Sequence, residues 1–145
     1  MTSSIKKIDL HIHTVPNKYL DSEFEFDISV LSEYVKKNSF DAIAITNHNL
    51  FDEKQFLTIL RECQNLGCTC FPGIEVSLEG GHILVIGEAN ESSYSILRSI
   101  SKRAEADASD EHYSMSVSTF NTFLNAQNFL LIPHLYGKSP KVSDG

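Results

Sequence analysis

The sequence has little from which to build a disulfide framework, a membrane span or a basic nucleic-acid face. Its three cysteines, Cys63, Cys68 and Cys70, are odd in number, which argues against paired disulfides. Cys68-Thr69-Cys70 has a spacing that could hold a metal, but alternation along a buried strand is the simpler expectation. The longest apolar runs, residues 83–86 and 129–132, fall far short of a bilayer's thickness. The opening MTSSIKKIDL lacks the apolar core of a secretory signal, so a cytoplasmic location with no membrane association is expected. Positive charge is scarce: 12 Lys and Arg against 19 Asp and Glu leave a formal charge of -7. That balance argues against a basic nucleic-acid face in this segment. It leaves phosphate substrates open, because bound metal ions reverse the local sign inside an acidic protein. No internal repeat, extended low-complexity tract or Walker A motif occurs.

What is present reads as one globular α/β domain. A chain of 145 residues with 41% hydrophobic and 21% charged residues can bury a real core. Strands are expected at residues 5–11, 41–46, 68–76, 82–86 and 129–132. The second (DAIAIT) is apolar on both faces, as buried parallel strands are. The third is expected to be interrupted at Pro72 and Gly73, and a tight turn at residues 78–81 joins it to the fourth as a hairpin. Asp27 is placed as the N-cap of a helix with Val30, Leu31, Tyr34 and Val35 on its core face, ended by Asn38 and Ser39. Asp52 caps a second helix, running to about Leu66 with Phe56, Leu57, Ile59, Leu60 and Cys63 inward and Gly67 as its stop. Residues 92–103 are weakly helical, 104–116 a polar loop, and Ser118 the cap of a short helix to Ala126.

The chemistry is concentrated at strand ends. Asp9-Leu10-His11-Ile12-His13-Thr14 closes the first strand. Alternation sends residues i and i+2 to one face, so His11 and His13 point together, with Asp9 one step behind them. Paired imidazoles suit a divalent transition metal, and a carboxylate nearby can orient one of them. His48 follows the second strand, Glu75 lies near the end of the third, the hairpin returns His82 beside it, and His134 follows the fifth. In α/β sheets and barrels ligands gather at the carboxyl ends of strands. Only His112, of six histidines, falls elsewhere. Each histidine alone reads as an ordinary loop or cap residue. Their joint placement around Glu75, an acid in an apolar segment, points to a shared metal site.

These residues carry a resemblance to the PHP (polymerase and histidinol phosphatase) domain family. Asp9 to Thr14 matches its Asp-X-His-X-His-Thr motif, Thr46-Asn47-His48 its Thr-Asp-His element, and Gly73-Ile74-Glu75 its Gly-(Ile/Val)-Glu element. His82 before an apolar strand and Pro133-His134 match later ligand positions. The resemblance implies a PHP-type distorted (β/α)7 TIM-like barrel, incomplete in this chain, with residues 1–145 as one PHP domain truncated at its C-terminus. It implies two or three metal ions. His11, His13 and Glu75 would share one. Glu75, His82 and His134 would hold a second. His48 would serve a third with a residue of the first loop, for which Asp21 is the candidate and Asp27, the helix cap, the competitor. Family members are phosphoesterases, including phosphatases and nucleases.

Three departures stand out. Asn47 replaces the family's aspartate, which weakens the expected support of His48 or of a metal. The family's final Asp-X-His is absent. The chain stops soon after its fifth strand, so it is read as a fragment of a larger protein, and a looser likeness to PHP segments of ATPase-linked proteins points to a C-terminal ATPase partner. The donor set suits Zn, Mn or Fe better than Mg. The function this implies is hydrolysis of a phosphomonoester or phosphodiester by a metal-bound hydroxide, with no Ser or Cys nucleophile. Lys138 could neutralise a phosphate oxygen, although a solvated loop lysine is the plainer reading, and Gly137 is taken as a backbone device. The alternative is a catalytically weak or inactive PHP-like metal-binding regulatory module, and the third choice is a scaffold without metal.

Overall fold

The computed structural model describes residues 5–124 and 128–135. Five strands, β1 (Ile8–Ile12), β2 (Ala42–Ile45), β3 (Thr69–Leu78), β4 (Gly81–Ile86) and β5 (Leu130–Leu135), lie side by side in chain order. They are joined by α1 (Ile28–Asn38), α2 (Glu53–Leu66), α3 (Glu91–Asp107) and α4 (Val117–Phe123). β1, β2 and β3 run parallel, while β4 is antiparallel to both β3 and β5. The result is a mixed, curled half-barrel sheet.

The helix ends follow local chemistry. Asp27 accepts from the Ser29 N–H and Asp52 from the Gln55 N–H, each satisfying an orphan donor of a first turn. Ser39 (φ 54) and Gly67 (φ 70) close the same helices in left-handed geometry. Val30, Tyr34 and Leu57 depart from their expected core positions, at 64%, 40% and 38% exposed; Leu31, Ser32 and Val35, then Phe56, Ile59 and Cys63, are the residues buried. The weak helix expected at 92–103 is a full helix to Asp107, so the first part of the expected loop is helical. Its buried stripe includes Ser93, Ser101 and Ala104, small residues that dilute an apolar period. Ser116, not Ser118, caps α4. Residues 125–127, where that helix was expected to end, lie outside the described residues, as do Gly137 and Lys138.

β3 is continuous through Pro72 and Gly73, against the expected interruption. Its first four residues pair with β2 and residues Gly73 to Leu78 pair with β4, so the Pro-Gly step marks a change of ladder. Gly73 is required by close approach: a Cβ there would lie 2.7 Å from the Val85 carbonyl oxygen and 2.9 Å from Thr46 Cγ2. β5 likewise continues through Pro133 to Leu135, a position that is tolerated because β5 is last in the strand order, where one ladder edge is open.

The two faces of the sheet differ. Ile43, Ile45, Ile74, Val76 and Val85 pack beneath the helices in the main core with Phe56, Ile59, Leu97 and Ile100. On the concave side Leu10, Ala44, Phe71, Leu84, Ile86 and Ile132 form a second, smaller apolar layer. It borders a hollow of about 360 Å³ reached by Ile8, Ala42 and Leu130, at the end where the parallel strands begin. The histidines lie at the other end.

Candidate metal centre

The first step in building the site is a bulge. Ile8 and Asp9 pair with Ala42 and Ile43, but Ile12 pairs with Ile45, so β1 carries one extra residue between Asp9 and Ile12. Such an insertion breaks alternation and re-aims side chains. Asp9 therefore does not stand behind the histidines. Its carboxylate accepts from the Tyr34 hydroxyl on α1 at 2.5 Å and from the His11 N–H at 3.1 Å. The role of orienting an imidazole, expected of Asp9, is corrected by this geometry. Leu10 joins the concave layer and Ile12 packs against the helix-side core. His11 and His13 both reach across to Glu75 on β3.

The structure brings together all six expected residues. Glu75 is 1% exposed. Its Oε1 lies 2.8 Å from His11 Nε2, 2.9 Å from His13 Nε2 and 3.2 Å from His48 Nε2. Its Oε2 lies 2.6 Å from His82 Nδ1 and 3.9 Å from His134 Nε2. The five imidazoles form a closed circuit around it. Ring centroids are 5.0 Å apart for His11 and His13, 4.4 Å for His13 and His48, 5.3 Å for His48 and His82, 5.8 Å for His82 and His134, and 5.3 Å for His134 and His11. His112 is exposed beside Glu111, away from the circuit.

Asp21 enters from the first loop. Its Oδ1 is 3.1 Å from His48 Nδ1 and 3.5 Å from His13 Nδ1. Asn17 holds it there: the Asn17 N–H donates to Asp21 Oδ2 at 2.8 Å, and the Asn17 side chain donates to the His48 carbonyl at 3.2 Å. The spacing of four between Asn17 and Asp21 is the sequence signal for this contact. Asp27, the competitor, is committed to its cap.

The charges are strongly coupled. Burial alone would raise the Glu75 carboxyl, but bonds from His11, His13, His48 and His82 hold it far below the usual carboxylate range. Burial lowers the His48 imidazole, and Glu75 and Asp21 overcome that and raise it. Burial also works against ionised Asp21, while the Asn17 N–H, His48 and His13 lower its pKa. Every ion-pair partner that Glu75 has among the described residues is an imidazole. A buried carboxylate needs compensating positive charge, and neutral imidazoles and carboxylates are donors for a divalent transition ion. Three groups have donor atoms close enough to share one: His11, His13 and Glu75; His13, Asp21 and His48; and His48, Glu75 and His82.

Cys63, Cys68 and Cys70 are all reduced and buried on the helix side, and form no part of these groups. Burial raises the Cys68 thiol to about 11, which keeps it protonated and a poor ligand.

A curled α/β sheet thus gathers imidazoles and carboxylates at one end, where they could hold metal ions. The family model for the PHP domain matches residues 9–138, and the chain belongs to that family. No curated protein matches it significantly. Among solved structures, PsfC from Pseudomonas syringae shares 16% identity at a TM-score of 0.52, covering 88% of this chain and 54% of PsfC. A two-domain protein from Bacteroides vulgatus, containing a predicted PHP-like metal-dependent phosphoesterase, shares 19% identity at a TM-score of 0.46, over 68% of this chain and 33% of that one. An amidohydrolase from Chromobacterium violaceum with bound sulfate and no metal shares 20% identity at a TM-score of 0.48, over 68% of this chain and 34% of that one. The chain thus spans between a third and about half the length of these proteins. No helix among the described residues is long and apolar enough to cross a membrane. The ATPase-linked likeness gains no support from these comparisons.

Proposed function

We propose that His11, His13, His48, Glu75, His82 and His134, with Asp21, hold two or three divalent transition ions, and that the site hydrolyses a phosphate ester. The observation that carries this reading is the circuit of five imidazoles around one buried carboxylate. Both Glu75 oxygens face imidazoles on different sides, so Glu75 can bridge two positions. His48 faces Asp21 through Nδ1 and Glu75 through Nε2, and links a third position to the others. His48 thus groups with Glu75 and His82 as well as with Asp21, a finer division than the family resemblance implies. When bound, such ions polarise a phosphoryl oxygen and make water acidic enough to attack at neutral pH. The apolar layer of Ala44, Leu84 and Ile132 lies on the same side of the sheet as the donors. No side-chain nucleophile is required by this arrangement.

Elemental analysis of protein purified without chelator tests the binding half. At least one tightly held transition ion per chain is expected. Glu75→Ala and His11→Ala should each lose most of it, and His112→Ala should retain it; equal losses in all three would reject the assignment. Hydrolysis of a chromogenic phosphodiester with added Mn, abolished by His11→Ala, tests the catalytic half. Tight metal with no turnover would favour the regulatory-module reading over the enzyme.

A further inference from the structure

We infer that Asn47 and Asn49, which flank His48, are positioning residues that fix its imidazole between Asp21 and Glu75, and that an amide at position 47 serves the site as well as a carboxylate would. This rests on the metal-binding reading above. His48 lies beyond the end of β2, joined to β3 by a single isolated bridge with Glu75, while the Asn17 side chain holds its carbonyl. The two neighbouring side chains supply what the ladder does not.

Asn47 is 2% exposed and turns toward β1. Its Oδ1 accepts from the Thr14 N–H at 2.7 Å and the Val15 N–H at 2.9 Å, and its Nδ2 donates to Thr14 Oγ1 at 3.2 Å. Thr14, 1% exposed, donates its hydroxyl to Gln55 Oε1 on α2 at 2.5 Å. One side chain therefore ties the residue after His13 to the residue before His48. Asn49 turns the other way, toward β3. Its Oδ1 accepts from the Ser77 N–H at 2.9 Å and its Nδ2 donates to Ser77 Oγ at 3.1 Å. Its φ of 55 is a left-handed conformation that asparagine tolerates better than most residues. Between them the Glu75 N–H donates to the Asn47 carbonyl at 2.9 Å, and the Asn49 N–H donates to the Glu75 carbonyl at 2.7 Å. The backbones that carry His13, His48 and Glu75 are thus bolted together at four points around one imidazole.

This geometry reverses the meaning of the family departure. Among the described residues the side chain at 47 makes no hydrogen bond to His48 or another candidate ligand; it serves two backbone N–H groups and one hydroxyl. Aspartate offers the same acceptor to the same N–H groups. Its second oxygen would face the Thr14 hydroxyl, whose one proton now goes to Gln55 Oε1; that proton can turn to the carboxylate when the Gln55 amide flips so that its Nε2 donates to Thr14 Oγ1 instead. The charge that asparagine lacks is therefore not charge that the ligands see at first hand.

Titration of the purified chain with Co²⁺, by calorimetry and by the ligand-field absorption of the bound ion, tests this. Asn47→Ala and Asn49→Gly, the latter keeping the left-handed backbone, should each weaken binding by about 10–100-fold and shift the absorption band, as loss of supporting partners does. Asn47→Asp should keep the band and bind within about threefold of the parent, well short of that loss. Parental affinity and an unshifted band in Asn47→Ala would overturn the inference, and so would an Asn47→Asp protein as weak as His48→Ala. Should Asn47→Ala fail to fold, Asn49→Gly and Asn47→Asp still decide it. A parent chain that takes up no Co²⁺ would overturn the metal reading and this inference with it, whereas a parent that binds beside indifferent asparagine variants would overturn this inference alone.

Discussion

Successive residues of β3 meet opposite surroundings. Cys70, Ile74 and Val76 enter the core beneath the helices, where Phe56, Ile59 and Leu97 close over them. Phe71 and Glu75 belong to the concave side, one in a thin apolar layer and the other among five histidines. All four helices contribute buried residues to the first face, from Leu31 on α1 to Phe120 on α4. On the second face the apolar layer holds only three fully buried residues, Ala44, Leu84 and Ile86. Stability is therefore a property of the convex face. The concave face spends some of it on a buried acid whose ion-pair partners among the described residues are all imidazoles. The difference teaches that a substitution can strike one property and spare the other, according to the parity of its strand position.

The sharpest test is Phe56→Ala. Phe56 is 1% exposed and lies against Phe51 and Tyr94, with ring centroids 6.0 and 5.8 Å away. Truncation should cost about 3–5 kcal/mol of unfolding free energy in urea, a large part of a domain's total. The folded fraction should bind metal as the parent does. Should its affinity fall tenfold, the two faces would be coupled and the contrast lost. Gly73→Ala comes next, because Gly73 touches both sides. The added methyl has a backbone carbonyl in its way, which cannot yield cheaply. A loss of about 1–3 kcal/mol is expected, together with weakened metal binding, since Glu75 lies two residues further along the same strand face. An unaltered urea midpoint would mean that β3 and β4 separate more easily than their register implies.

Much of this division was legible in the sequence, and for a physical reason. Asp27, Asp52, Ser39 and Gly67 mark helix ends through local hydrogen bonding and backbone freedom, so neighbouring residues suffice to read them. The run Asp41 to Thr46 reveals a buried strand through composition alone, although only Ala42–Ile45 forms the ladder. His11, His13, His48, Glu75, His82 and His134 can be grouped from sequence because the pattern puts each near a strand end, and topology brings them together, although Glu75 lies within β3 and not at its end. What was hidden depends on distant partners. Pro72 looked like a break because its effect is a change of ladder, which requires both β2 and β4 to be known. α3 looks weak in sequence because Ser93 and Ser101 can be buried only where a partner satisfies them, as the Phe51 N–H does by donating to Ser101 Oγ. Asn47 looked like a deficiency because its service to Thr14 and Val15 lies 33 and 32 residues away.

The bulge in β1 was equally invisible, and it governs the smallest effect. Alternation without it places Asp9, His11 and His13 on one face; with it, Asp9 binds Tyr34 on α1 and only the histidines reach Glu75. Tyr34→Phe removes that one hydroxyl. Because Tyr34 is 40% exposed, water replaces part of the bond, and the cost should fall near the low end of about 0.5–1.5 kcal/mol. Metal affinity should not change, since Asp9 serves the helix side. Calorimetric titration of this variant beside the parent distinguishes the two registers. A clear drop in affinity would mean that Asp9 supports the imidazoles after all, and that the bulge does not separate the faces at this position.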